Sequence, residues 1–180
     1  MSLAPRAWGL VLTCLTCLTV SCAPPPGGQT YPSETMVRTM LSIWETADTA
    51  AVLDLFWPEA VYDDFQNQIQ YQGQEEIAAY LTHVHSWGTG VLMNVTHVHA
   101  SETGATAEWV LSAINDKPVG DRVPEPTGRE IVLNGVTIIE MEGDLIVRAA
   151  DYIDGLPMAL QLGARVEYPG GAVVELEGVR

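Results

Sequence analysis

Glu130-Ile131-Val132-Leu133-Asn134-Gly135-Val136-Thr137-Ile138-Ile139-Glu140-Met141, then Glu142-Gly143-Asp144, then Leu145-Ile146-Val147-Arg148-Ala149-Ala150-Asp151-Tyr152-Ile153 is the stretch that decides the fold. Both runs are rich in β-branched residues, and a short turn centred on glycine divides them. They predict a long antiparallel hairpin. Side chains alternate along a strand, so Leu145, Val147, Ala149, Asp151 and Ile153 share one face and Ile146, Arg148, Ala150, Tyr152 and Asp154 the other. Asp151 therefore sits in an apolar row.

Working outward, the same period of two runs through Val91 to His99 and Ala105 to Asn115, which gives four candidate strands. Upstream the period is helical. Met36, Val37, Met40, Leu41 and Trp44 recur behind Ser33, which is placed to cap a first helix. Asp48 is placed to cap a second, carrying Val52, Leu53 and Phe56 and ended by Trp57-Pro58. Ala60 to Asp64 reads as a short strand, Phe65 to Tyr71 as a loop, and Gln74 to about Thr82 as a third helix with Ile77, Ala78 and Leu81 inward. Gly155 to Leu162 reads as a closing helix stopped by Gly163. Three helices followed by long antiparallel strands predict an α+β fold, helices lying against one face of a curved antiparallel sheet that encloses a pocket.

The N-terminus has the layout of an export signal. Arg6 precedes an apolar run from Ala7 to Val20, followed by Ser21, Cys22 and Ala23. The run is too short to span a bilayer, which takes about 20 apolar residues. Two processing routes fit: acylation of Cys22 with cleavage before it, or cleavage after Ala23. The chain thus divides into a signal at 1–22, a Pro/Gly tether at 23–32, a domain at 33–163 and an extension at 164–180. In the extension, Ala172 to Leu176 reads as a strand that either joins the sheet edge or pairs with a partner molecule. The expected location is a bacterial cell envelope, by a lipid on Cys22, or otherwise a secreted or periplasmic protein.

The net charge is −15, and loss of Arg6 with the signal leaves seven basic against 23 acidic residues. Such a surface repels phosphate backbones and anionic headgroups, which argues against nucleic-acid partners and against membrane contact other than through a lipid. Cys14 and Cys17 lie within the signal, so no disulfide framework is expected.

Few residues carry chemistry. Asp151 is either buried with its pKa raised, poised as an acid or base, or wetted by a bend in its strand. Tyr62 and Asp64 share a strand face two residues apart and can hold a water or substrate oxygen together. Trp44, Trp57, Trp87 and Trp109 read as core or pocket lining. The histidines form two pairs, His83/His85 and His97/His99. Only the second falls on a strand, where alternate residues can share a metal, and no third ligand stands at a suitable spacing. No metal or cofactor is expected, and His97 reads as a pocket-wall or surface residue.

Pro126-Thr127-Gly128-Arg129, Gly135-Val136-Thr137-Ile138, Glu142-Gly143-Asp144-Leu145-Ile146, Asp151 and Gln161-Leu162-Gly163 together resemble the SnoaL-like polyketide cyclases of the cone-shaped nuclear transport factor 2-like superfamily. Gly73-Gln74-Glu75-Glu76-Ile77 fits the start of that family's third helix. The resemblance covers roughly Ser33 to Gly163 and implies the cone fold; many functions share it. Asp151-Tyr152-Ile153-Asp154 is similar to the last strand of limonene-epoxide hydrolases, whose water-holding pair would fall on Tyr62 and Asp64, but whose arginine and acid would fall on Trp109 and Leu111. The ketosteroid isomerase base would fall on Asp64, with its oxyanion partners near Met40 and Thr137.

Three functional readings follow. The first is an exported binding module whose pocket takes a small apolar or weakly polar molecule, with Trp109, His97 and Trp44 as lining and Tyr62, Asp64 and Asp151 as polar anchors. The second is a cyclase, isomerase or hydrolase using Asp64 or Asp151 as acid/base and Tyr62 as donor. The third is a dimerisation domain pairing through the open sheet face, which would then be apolar.

Overall fold

The computed structural model describes residues 31–176. The export segment 1–22, Cys22, the tether as far as Thr30, and residues 177–180 lie outside the described residues. Among the described residues no helix is long and apolar enough to cross a membrane.

Helix α1 (Pro32–Thr46) starts on Pro32, whose fixed φ suits a first helical turn, and ends at Ala47 in the left-handed region. Its buried stripe is Val37, Met40, Leu41, Ile43 and Trp44. Ser33 does not cap this helix. It lies inside the first turn and donates its hydroxyl to the Ser101 carbonyl at 2.6 Å, tying the helix to a strand loop. Helix α2 (Thr49–Leu55) is capped as the sequence predicts, Asp48 accepting from the amides of Ala50 and Ala51.

Strand β1 runs from Phe56 to Asp64, so Trp57-Pro58 opens a strand where the end of a helix was expected. Proline is tolerated because β1 does not pair regularly between Phe56 and Val61. The expected loop after it contains a short strand, β2 (Ile69–Gln72). Helix α3 (Gly73–Leu81) follows, then a single 3-10 turn at His83–Ser86. The long strands β3 (Thr89–Ala100), β4 (Gly104–Ile114), β5 (Glu130–Glu142) and β6 (Leu145–Ile153) match the predicted period within a few residues. Helix α4 (Gly155–Gln161) closes the domain, and β7 (Val166–Glu167) pairs with β8 (Val173–Val174) in a separate hairpin. The extension therefore pairs with itself and does not lengthen the main sheet.

The main sheet has the order β2-β1-β6-β5-β4-β3. It is antiparallel except between its second and third strands, where β1 runs parallel to β6, which corrects the expectation of a purely antiparallel sheet. The whole is a mixed α+β fold built on one large curved sheet and four helices. Helix α1 packs across β3 and β4 and α3 packs on β1, so the core lies between the helices and the concave face.

Two bulges decide which side chains face inward. In β6 the register slips at Val147, so Ile146 is buried alongside Ala149 and Asp151, while Leu145 and Val147 leave the inner row. In β3 the register slips at Thr96. Val95 pairs with inward Trp109, but His97 pairs with outward Glu108. The outer face carries an ion network in which Arg148 donates to Asp63 at 2.8 Å and to Glu140 at 2.8 Å. Beside it, exposed Tyr152 stacks on Phe65. That face is mixed in character, not apolar.

Candidate ligand cavity

Register places a polar row across the inner face of the sheet. Asp64 on β1 neighbours Asp151 on β6, which pairs with Thr137 on β5, which in turn pairs with Ala107 on β4. Asp64, Asp151 and Thr137 are all buried. In the next row Ile153 pairs with Gly135, and Gly135 with Trp109. A Cβ at Gly135 would lie 2.3 Å from the Trp109 ring, so only glycine lets the indole lie against the β5 backbone. From there its N–H donates to Thr137 Oγ1 at 2.8 Å.

These contacts form one chain. Thr137, accepting from Trp109, must spend its own hydroxyl proton on Asp151 Oδ1, and Tyr80 on α3 donates to Asp151 Oδ2 at 3.0 Å. Burial pushes the Asp151 pKa from 3.8 to about 6; the hydroxyls of Thr137, Tyr62 and Tyr80 hold it down and the neighbouring Asp64 adds to the rise. Burial, with the charge of Asp151 second, raises both Tyr62 and Tyr80 well above 10, so both remain neutral phenols. The Tyr62 hydroxyl lies near enough to Asp151 and Thr137 to affect ionisation, yet it has no partner in hydrogen-bonding geometry.

Asp64 is held differently. Its carboxylate accepts from the Asn67 amide at 3.1 Å and from Asn67 Nδ2 at 2.7 Å, which closes the turn after β1.

In front of this row lies a cavity of about 140 Å³. Its floor and walls are buried Trp44, Asp64, Tyr80, Trp87, Trp109 and Leu111, and its exposed mouth carries Asn67, His83 and Arg122. Asp151, Tyr62 and Thr137 stand behind the wall, with Tyr80 and Trp109 between them and the space. Trp44 meets Tyr80 edge-on at 5.2 Å, and its buried indole N–H has no partner.

The segment after β4 forms a cover. Val119 and Arg122 line the cavity and both of the larger grooves that open from it, one towards α4 and one towards Tyr71 and α3. Buried Asn115 anchors this cover at both ends. It donates to the carbonyls of Trp87 and Lys117 and accepts from the amide and hydroxyl of Thr127. The Pro126-Thr127-Gly128-Arg129 motif is thus the return leg of the cover. At its far side Gln161 pairs with the amide and carbonyl of Val132, where β6 has already ended.

The structure brings together Tyr62, Asp64 and Asp151, and places Trp44 and Trp109 in the cavity wall. His97 does not join them: its side chain is 72% exposed, 3.6 Å from Glu108, because the Thr96 bulge turned it outward. Tyr80 was missed. Its signal was present, since Tyr80 lies three residues after Ile77 and just before Leu81 on the buried stripe of α3, where a phenol needs a partner. Among the described residues no group of three potential metal ligands occurs.

A curved sheet wrapped round such a cavity and closed by helices defines the nuclear transport factor 2-like class. The profile of the SnoaL-like domain matches residues 37–149, and the chain belongs to that family. A search of curated proteins finds no match. Among solved structures, a protein of Jannaschia sp. CCS1 assigned as a SnoaL-like polyketide cyclase is 18% identical with a TM-score of 0.63, over 77% of this chain and 99% of that one. TsrD from Streptomyces laurentii is 19% identical with a TM-score of 0.63, over 74% and 96%. A Catenulispora acidiphila protein with a ketosteroid isomerase-like fold, in complex with trimethylamine, is 17% identical with a TM-score of 0.60, over 71% and 92%. At these identities the likeness is one of fold.

Proposed function

We propose that this chain is an exported SnoaL-like domain, held at a bacterial envelope by a lipid on Cys22, that binds a small apolar or weakly polar molecule in its cone. One observation carries the binding reading: a cavity walled by the side chains of Trp44, Trp87, Trp109, Tyr80 and Leu111 with one buried carboxylate, Asp64, among them. An apolar cavity of roughly 150 Å³ can take a molecule the size of benzene. The cavity here, about 140 Å³, suits one of similar bulk, and the grooves beside Arg122 leave room for a tail. The trimethylamine held by the Catenulispora relative is of that scale.

A second reading, an acid–base enzyme of the cyclase, isomerase or hydrolase kind, is favoured by the position of Asp151 near pH 6. Both Asp151 oxygens already accept hydroxyls, and Tyr80 separates them from the cavity. Asp64 is the carboxylate that a substrate would meet.

Native mass spectrometry of the full chain extracted from cell membranes tests both parts. The expected result is an acylated Cys22 and a small molecule released on denaturation. Recovery of an unprocessed N-terminus from the cytoplasm would overturn the envelope assignment. Failure of any small molecule to bind, in extracts or in a fragment screen, would overturn the binding reading, and turnover lost in Asp64→Asn would favour the enzyme.

A further inference from the structure

We propose that the cavity recognises a methylated ammonium compound. The inference rests on the binding reading above and narrows it.

The chemistry of the wall points to a weakly hydrated cation. An aliphatic cavity would suffice for a neutral apolar ligand, but this one sets Trp44, Trp87 and Trp109 round a single space, while the Tyr80 ring is stacked on Tyr71 and packed against Tyr62. Aromatic faces carry negative potential and attract cations that shed water readily, tryptophan most strongly. Trp109 has one face pressed on Gly135, so the face that remains is the one turned to the cavity.

The charge of the site has the matching sign. Asp64, 1% exposed, is part of the wall, and Asp151 lies beside it in register. The basic groups that line the space, His83 and Arg122, are exposed at the mouth and not at the floor. Lys117, on the cover, is committed to the His85 carbonyl at 2.8 Å. The chain as a whole carries −15, which favours approach of a cation.

Methylation of the nitrogen follows from hydrogen-bond supply. A primary ammonium or a guanidinium brings three to five N–H donors, each of which needs an acceptor once buried. The cavity offers Asp64, whose oxygens already accept from Asn67. A trimethylammonium group brings none and presents methyl groups to the indoles.

The test uses the full chain and three probes, titrated by calorimetry at one salt concentration. Choline and tetramethylammonium both carry the methylated cation, and 3,3-dimethylbutan-1-ol keeps the shape of choline without the charge. Choline should bind at least about tenfold more tightly than its neutral isostere, and tetramethylammonium should bind as well. In Asp64→Asn, which keeps an acceptor for Asn67, the ratio of choline to isostere affinity should fall towards one. If the isostere binds as well as choline, the cation inference fails while the binding reading stands. If none of the three binds and a ligand of other chemistry co-purifies, the inference likewise fails alone. If nothing binds or co-purifies, both fail.

Discussion

Asp64 and Asp151 stand side by side in register on the parallel strands β1 and β6, 1% and 0% exposed. Burial raises the Asp151 carboxyl to about 6 against the pull of the hydroxyls beside it, and the charge of Asp64 adds to the rise. Between pH 4 and pH 6 the folded chain holds a proton there that the unfolded chain has released, so stability falls as pH rises through that window and levels off above it. From the shift of 3.8 to about 6 the full effect is on the order of 3 kcal/mol. Urea melts from pH 4 to pH 7.5 should show this decline, and Asp151→Asn should flatten it. A variant as steep as the parent would remove Asp151 as its source.

Gly135 should not accept a side chain. The atom that an alanine Cβ would meet belongs to the rigid Trp109 ring, 2.3 Å away, and not to the tip of a flexible chain. Gly135→Ala must tilt the indole and lengthen its bond to Thr137, costing about 1–3 kcal/mol by overpacking. Thermal melts report the cost. Tryptophan emission should shift, and an unchanged spectrum with parental stability would contradict the close packing.

Asn115→Ala removes the anchor of the cover. The Lys117 carbonyl and the amide of Thr127 lose their partner together, and the Trp87 carbonyl is left with the Lys117 amide alone. The cost should reach about 1–3 kcal/mol, since several hydrogen bonds are lost at once. Hydrogen exchange should accelerate over residues 116–128 more than in β4 or β5. Uniform acceleration would mean that Asn115 supports the fold at large and not the cover.

The outer-face network makes a contrasting case. Arg148 is 34% exposed and joins Asp63 and Glu140 where solvent screens the charges. Arg148→Met should cost less than about 1 kcal/mol, and less again at 0.5 M salt. A loss of several kcal/mol would show that the pairing of β1 with β6 depends on this ion group.

Much of this architecture could be read locally. The four long strands, the Gly143 turn, the Asp48 cap and the α1 stripe all follow from periodicity and turn chemistry within a dozen residues. What escaped depends on partners far along the chain. Nothing near Ala60 reveals that β1 runs parallel to β6, and nothing near Thr96 or Val147 reveals a bulge, although those two slips decide that His97 points out and Ile146 points in. Tyr62, Asp64 and Asp151 were legible as polar residues in apolar rows. Tyr80 and the Trp109–Gly135 contact become visible only when α3 and β5 are laid against the row they complete.

The parallel pair also sets a schedule. Arg148 and Asp63, joined across it, are 85 residues apart, and β1 has only the four-residue β2 on its other edge. During synthesis the first half of the chain can form helices, but the seam of the cone waits until Leu145 to Ile153 has emerged. Such distant pairing is slow to form. The seam is also where the carboxyl groups meet, so uptake of the Asp151 proton belongs to that late closing step, and acidity should slow the seam's reopening.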